Sequence, residues 1–300
     1  MMKLAGHTMG TPEYTLFEAI DLFSSIGLEG IEIIIQTDGY KSALPLDASD
    51  QEINELIQKL KNSKLVVSGL TPYLNLYNSL DESIRQKDCN ALKRVIDIAR
   101  ALNAGFIRIY GGKLVEGEDD NDGKKLAQLV KSMRECGNYA GQFNIRLCLE
   151  NHFGTMTTSA TETARIIKAI DHPFVGILYD QANIAFFPAE EYSEAIELQK
   201  DKIFYVHCKD LVYRGGKPEK AKFTMVSHVN PDDRTVRSRI PGEGILDWPG
   251  ILKKLTSIGY SGWVSLEYER RWIQTDLPEA SVGMPVGFKY IRDILKELSI

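Results

Sequence analysis

The sequence contains no long uncharged apolar run. No stretch of its 300 residues reaches the roughly 18 apolar residues of a membrane-spanning helix. Residues 1–10 lack the continuous apolar segment of a secretory signal peptide. These absences argue against a membrane partner and predict a soluble, cytoplasmic protein.

Cysteine is scarce, and none of the four cysteines stands in a C-x-x-C spacing. Two of them fall inside apolar runs that have the composition of core strands. Buried, reduced thiols are therefore expected, and disulfides are not. The four are Cys89, Cys136, Cys148 and Cys208.

Basic charge is also in short supply. The chain has 36 basic and 41 acidic residues, a net charge of -5 and a pI near 5.7, so it offers no broad cationic surface to nucleic acid or to an anionic membrane. A small-molecule substrate is expected instead, and a homo-oligomer is left open. Because no Pro-rich, Ser-rich or low-complexity linker interrupts the chain, one domain over 1–300 is predicted.

Apolar runs rich in β-branched and aromatic residues recur along the whole chain. Segments with helical periodicity lie between them, as over 52–60 and 91–102. About eight such alternations, with strands apolar at nearly every position, predict a single-domain TIM (β/α)8 barrel and not an open doubly wound sheet. The segment at about 211–247 has no clear core element and is predicted to be a long loop on the active face. The runs are 3–7, 31–35, 65–70, 106–110, 145–149, 174–179, 203–207 and 263–267.

Four potential metal ligands stand at the ends of separate strand-like runs: Glu150, Asp180, His207 and Glu267. The first three are 30 and 27 residues apart, which matches one βα unit each. In an α/β barrel the carboxyl ends of the strands build the active site. Three carboxylates and one imidazole suit a single Mn²⁺, Mg²⁺, Co²⁺ or Zn²⁺ ion and not a structural zinc site.

The motifs around these residues resemble those of the xylose isomerase-like barrel superfamily, which includes sugar and sugar-phosphate isomerases and epimerases, inosose dehydratases, ketose 3-epimerases and apurinic endonucleases. The resemblance spans essentially the whole chain, and its second half is the more specific part. The matching blocks are CLENH at 148–152, LYD at 178–180, VHCKD at 206–210, IPGEGILDW at 240–248 and GYSGWVSLE at 259–267.

The resemblance implies that the four residues hold one divalent metal, with Mn²⁺ the first expectation. It also places Glu150 and Glu267 where the epimerases have their acid/base pair. A metal that stabilises an enediolate lets one glutamate remove a proton next to a carbonyl while the other returns it. We therefore predict a sugar or sugar-phosphate isomerase or epimerase. The alternatives are a metal-dependent dehydratase or lyase on a keto-sugar or inosose, and a non-catalytic sugar-binding barrel.

One position departs from the pattern of many relatives. They have a histidine three residues after the strand-six aspartate, where this chain has Asn183. Asparagine can hydrogen-bond a hydroxyl but is a poor zinc ligand. The departure argues against a trinuclear zinc site and a DNA-repair nuclease, and it weakens a direct match to the free-ketose 3-epimerases.

Further residues are candidates for substrate binding: His7, His152, Asn183, Lys209 and Arg239. Arg239 belongs to a basic stretch, 211–240, with seven basic and three acidic residues. This stretch is either a solvated lid or an anion-capturing one. Tyr73, Trp248 and Trp272 are candidates for an apolar wall against a sugar, although burial in the core is the commoner fate of such residues.

Overall fold

The computed structural model describes residues 1–114, 118–185, 190–215 and 234–298. Within them, eight parallel strands form a closed ring in chain order, because the first strand pairs with both the second and the eighth. This confirms the predicted TIM barrel. The strands are β1 Lys3–His7, β2 Gly30–Ile35, β3 Val66–Pro72, β4 Phe106–Ile109, β5 Arg146–Glu150, β6 Val175–Tyr179, β7 Ile203–Cys208 and β8 Trp263–Leu266.

Among the described residues, eight longer helices follow the strands and cover the outside of the ring. The first two begin at capping boxes, in which Thr15 pairs with Glu18 and Ser49 with Glu52. Each box satisfies two backbone N–H groups at the helix start. None of the described helices is both long and apolar enough to cross a membrane. The helices are α1 Leu16–Ile26, α2 Asp50–Ser63, α3 Glu82–Ala101, α4 Lys124–Gly141, α5 Ala160–Ile170, α6 Tyr192–Gln199, α7 Trp248–Ser257 and α8 Ala280–Glu297.

The apolar core has two parts, as expected when both faces of a parallel sheet are covered. The larger part packs between the ring and the helices, and a small cluster that includes Cys148 and Tyr205 fills the inside of the barrel. Trp248 is fully buried in the larger part. Trp248 therefore has the commoner of the two expected fates, since its ring packs in the core at the start of α7 and is not part of a sugar-binding wall. The four cysteines are free and buried.

The segment predicted as a loop at 211–247 is partly ordered as strands. Asp210–Tyr213 and Val236–Arg239 form a two-stranded antiparallel pair after β7. Residues 216–233, including the predicted lid cations Lys217, Lys220 and Lys222, lie outside the described residues. The extent of the domain, 1–300, stays a prediction.

One carboxylate holds the chain that returns from this strand pair to α7. Asp210 is buried and accepts hydrogen bonds from the backbone N–H groups of Leu211, Gly242, Gly244 and Leu246, at 2.9–3.2 Å. The Asp of the H-x-K-D block therefore fixes the P-G-E-G turn. The two motifs are separate in the sequence, but in the structure they form one joint.

Candidate metal centre

The four predicted ligands come together at the C-terminal end of the barrel. Glu150 ends β5 and His207 lies in β7, while Asp180 and Glu267 directly follow β6 and β8. All four are at most 2% exposed, and one ligand atom from each lies within 4.8 Å of the other three. Ligands bound to one ion at about 2.2 Å are at most about 4.4 Å apart. The spacing of the four ligand atoms is therefore close to that of ligands around a single ion.

His207 is oriented as a metal-binding histidine usually is. Its Nδ1 faces the carboxylates, at 3.2 Å from Glu150 Oε1, 3.3 Å from Glu267 Oε2 and 4.0 Å from Asp180 Oδ2. Its Nε2 lies 3.1 Å from both oxygens of Glu32. A carboxylate on the far nitrogen fixes the tautomer of a ligating imidazole and raises its basicity.

Glu32 was not identified from the sequence. It lies in the middle of β2, where it accepts a hydrogen bond from the Thr71 hydroxyl and faces the Nε2 of His7 at 3.5 Å. Nδ1 of His7 accepts from the backbone N–H of Met9, so this imidazole is fixed as well. The available signal was a charged residue inside an otherwise apolar strand, since such a residue is buried only when it has partners.

Two buried cations, each in an ion pair, accompany the carboxylates. Arg108 Nη2 contacts Glu150 Oε2. Lys209 Nζ lies 2.9 Å from Asp180 Oδ2 and 2.7 Å from Glu267 Oε2. Lys209 is 6% exposed and is therefore not a solvated lysine. Arg108 was also missed, although its charge inside the run FIRIY was the same signal as that of Glu32.

The cations and His207 set the ionisation of the site. Burial raises the pKa of Asp180 to about 7. Burial also acts to raise the pKa of Glu150, but Arg108 and nearby imidazoles outweigh it and hold that pKa below its ordinary value. Burial also acts to raise the pKa of Glu267, but His207 and Lys209 together outweigh it and hold that pKa well below its ordinary value. The two glutamates are thus kept ionised, as a metal ligand and a proton acceptor both need.

Asn183 lies against two of the four ligands. Its Nδ2 donates to Asp180 Oδ2 at 3.0 Å and to the carbonyl oxygen of Asn151 at 2.8 Å, and lies 3.4 Å from Glu150 Oε1. Its Oδ1 is buried without a hydrogen-bond partner in the described part of the chain. An unpaired amide oxygen beside the centre can accept a hydrogen bond from a substrate hydroxyl.

His152 and Arg239 are placed differently. The ring of His152 packs against Tyr110 and Phe153, with centroids 4.8 and 4.3 Å apart. Burial lowers its pKa to about 4, so the imidazole is neutral. Arg239 donates to the carbonyl oxygen of Ser238 and lines a separate small cavity behind Glu267. Substrate contact by either residue stays a prediction.

The remaining wall candidates do meet at the mouth of the barrel. Tyr73 packs edge to face against Trp272 with ring centroids 6.1 Å apart, and Arg271 lies over both rings. Trp272 is 38% exposed and lines a cavity together with Asn183 and Lys209. Asn183 and Lys209 both contact Asp180, so this cavity adjoins the predicted metal site.

The donor chemistry fits a divalent ion. Three carboxylates and an imidazole are buried together, with the imidazole oriented by Glu32, and oxygen donors with one imidazole nitrogen suit an ion such as Mn²⁺ or Zn²⁺. The molecule is thus a parallel (β/α)8 barrel whose active face carries a site able to bind a metal.

The fold and site agree with the family that the sequence matches. Residues 20–293 match the xylose isomerase-like TIM barrel family, and the chain belongs to that family. The resemblance stated from the motifs is therefore confirmed.

Individual relatives and neighbours in the family are distant. An inosose dehydratase from Bacillus velezensis is 26% identical over 149 residues, which are 47% of this chain and 46% of that protein. The chain thus matches about half the length of this curated relative. A D-tagatose 3-epimerase-like protein superposes with a TM-score of 0.74 at 19% identity, covering 99% of this chain and 98% of that one. A zinc-bound structure of the IOLI protein superposes with a TM-score of 0.76 at 17% identity, covering 99% and 98%. At these identities the structural matches show the fold alone.

Proposed function

We propose that this protein is a metal-dependent enzyme that moves a proton at a carbon next to a carbonyl group of a small polyhydroxylated substrate. The observation that carries the proposal is the convergence of Glu150, Asp180, His207 and Glu267 at the active face, with ligand atoms within 4.8 Å of one another. Membership of the xylose isomerase-like family supports a sugar-modifying activity. Mn²⁺ is our first choice of metal, and Zn²⁺, Mg²⁺ and Co²⁺ are the alternatives.

Glu150 and Glu267 are the proposed acid/base pair. Two strands, β6 and β7, lie between the strands that carry them, so their carboxylates reach a bound substrate from different sides. One removes the proton next to the carbonyl and the other returns a proton to the enediolate. An ion held by the four donors supplies Lewis-acid stabilisation of the charge that develops on the substrate oxygens.

The two buried cations give the glutamates different surroundings. Arg108 pairs with Glu150, whereas Lys209 pairs with Glu267 and also lines the cavity beside the centre. Lys209 is therefore placed to bind a substrate hydroxyl or oxyanion. Asn183 offers its free Oδ1 as an acceptor in the same cavity.

Two reactions can follow the same first step, the removal of the proton next to the carbonyl. Isomerisation or epimerisation returns the proton to carbon, and it is our leading assignment because two glutamates converge on the site. Dehydration loses a hydroxyl β to the carbonyl instead. It is the second candidate, supported by the similarity of half the chain to an inosose dehydratase.

The test is solvent exchange in D₂O with the Mn²⁺-loaded protein and a panel of ketoses, ketose phosphates and inososes. We expect deuterium at the carbon next to the carbonyl, measured by proton NMR, for at least one substrate. A product with inverted configuration at the carbon next to the carbonyl identifies an epimerase, and a product in which the carbonyl has moved to the neighbouring carbon identifies an isomerase. A product that has lost a hydroxyl identifies a dehydratase. A protein that binds sugars but binds no metal and catalyses no deuterium exchange would be the non-catalytic barrel.

A further inference from the structure

Arg108 has more hydrogen-bonding capacity than its partners use. It lies on β4 two residues after Phe106, which packs against the cluster inside the barrel, so both side chains point to the same face. The residue is 3% exposed, and Nη2 contacts Glu150. Nε and Nη1 are buried with no hydrogen-bond partner among the described residues. Buried donors without partners are costly, and an arginine offers five N–H groups.

The neighbours of Arg108 carry two more unpaired donors. The Tyr73 hydroxyl and Nη1 of Arg271 are also buried without a hydrogen-bond partner in the part of the chain that the structure describes. The three side chains are in contact, because the guanidinium carbons of Arg108 and Arg271 lie 5.5 and 4.9 Å from the centre of the Tyr73 ring. The guanidinium groups of Arg108 and Arg271 thus both lie next to the Tyr73 side chain.

The charges of the site leave room for one more anion. Four buried carboxylates, Glu32, Glu150, Asp180 and Glu267, would be balanced in charge by Arg108, Lys209 and one bound divalent ion. Arg271 adds a further positive charge. Its ion pair, with Asp38, is 3.6 Å long and engages a carboxylate that is 54% exposed, so it is weak.

We propose that Arg108, together with Tyr73 and Arg271, binds a carboxylate group of the substrate. This inference rests on the proposed function and narrows the substrate from polyhydroxylated ketones in general to keto acids of that type. A carboxylate supplies acceptor oxygens for the free guanidinium N–H groups and the tyrosine hydroxyl, and charge-assisted hydrogen bonds of this kind are among the strong ones. The anion-binding arginine of the active site is then Arg108 and not Arg239.

The experiment compares three ligands that share a polyhydroxylated cyclohexane ring. Quinate carries a carboxylate, myo-inositol is neutral, and myo-inositol 1-phosphate carries a phosphate. Isothermal titration calorimetry with the full, Mn²⁺-loaded chain measures their binding without any turnover. We expect quinate to bind at least about 10-fold more tightly than myo-inositol, as one charged hydrogen bond supports. Equal binding of the two, or a preference for the phosphate, would overturn the proposal.

Three variants assign the preference to residues. Arg108→Gln should reduce the preference for quinate over myo-inositol to within about 2-fold, and the manganese content of the variant is measured alongside. Tyr73→Phe removes a single hydroxyl and should weaken quinate alone, by about 5-fold. Arg134→Gln, on the outer surface of α4, is the matched control and should bind like the wild-type protein.

Other results would contradict the assignment. Retention of the preference in Arg108→Gln would do so, as would its loss in Arg239→Gln alone. If Arg108→Gln bound both quinate and myo-inositol equally more weakly and also lost manganese, the role of Arg108 would be limited to positioning Glu150. The manganese content and the D₂O exchange of the wild-type protein are measured on the same samples. Failure of the proposed function would show in those two readouts, whereas failure of the carboxylate site would show only in the ligand preference.

Discussion

At the scale of single residues, the chemistry of the site depends on charges that stand in apolar strands. The four proposed metal ligands could be selected from the sequence because each ends a strand-like run. Glu32, which orients His207, and Arg108, which pairs with Glu150, lie within such runs. A strand pattern shows that these charges are buried, but it does not show which partner each one meets across the ring.

Replacing either proposed acid/base residue should abolish the reaction without unfolding the protein. For Glu150→Gln and Glu267→Gln we expect kcat to fall by about 10²–10⁴-fold, the usual contribution of a positioned general base. The measurement is the D₂O exchange rate, with circular dichroism to check folding. Exposed Glu243 supplies the control Glu243→Gln, which should keep full activity. Wild-type exchange by either site variant would exclude the proposed pair.

Removing the charge that orients His207 should weaken metal binding. We expect Glu32→Gln to raise the Kd for Mn²⁺ by about 10–100-fold, because partners of this kind hold a ligating imidazole in place. Calorimetric titration of the chelator-treated protein measures the Kd. Glu29→Gln, just before the same strand, is the matched control, since Glu29 accepts from the backbone N–H of Leu4 and not from a ligand. An unchanged Kd in Glu32→Gln would remove this role from Glu32.

At the scale of elements, barrel strands carry the proposed metal ligands, and the antiparallel strand pair lines the adjoining cavity together with Asn183 and Lys209. The pair is fastened on two sides. Ser238 donates to Glu269, after β8, while Arg234 pairs with Asp276. Strand ends give the positional tolerance that coordination needs. The sequence predicted a loop here because such short strands are stabilised by their tertiary pairing and not by a local sequence pattern.

The joint that fastens this region should be sensitive to small changes. Asp210→Ala removes the acceptor of four backbone N–H groups and should lower the free energy of unfolding by about 3 kcal/mol. Gly244→Ala should also destabilise, because an added Cβ would lie 2.0 Å from Asp210 Oδ1. Differential scanning calorimetry measures both.

Gly105→Ala is the control for these changes, since a Cβ there meets no atom within 4 Å. Its melting temperature should match that of the wild type. If Gly244→Ala melted at the same temperature as Gly105→Ala, the close approach of the turn to Asp210 would not be a constraint on the fold.

At the scale of the whole molecule, the proposed centre joins four strands from the second half of the ring. An ion bound there would connect elements separated by more than 100 residues, so its binding should stabilise the native barrel as a unit. Membership of the family and the closed ring are shown. The substrate and the reaction after proton removal are proposals.

Metal removal should lower the melting temperature of the protein. At a free Mn²⁺ concentration 100 times the Kd, binding stabilises the native state by about 2.7 kcal/mol, which corresponds to a rise of roughly 4 °C in Tm for a chain of this length. Differential scanning fluorimetry of chelated and reloaded protein measures the change. Asp180→Asn should show a much smaller rise. Equal melting temperatures with and without Mn²⁺ would argue against a metal in the barrel.

The sequence by itself determined the barrel, the order of its strands and the four residues at their ends. These follow from local patterns, because burial on both faces of a parallel sheet dictates apolar strands, and chain-order closure then brings their ends together. Only the tertiary structure decided which charges meet. Arg108 reaches Glu150, Glu32 reaches His207, and Lys209 bridges Asp180 and Glu267, since side-chain partners across a ring depend on register and on the direction of each side chain, which no local pattern encodes.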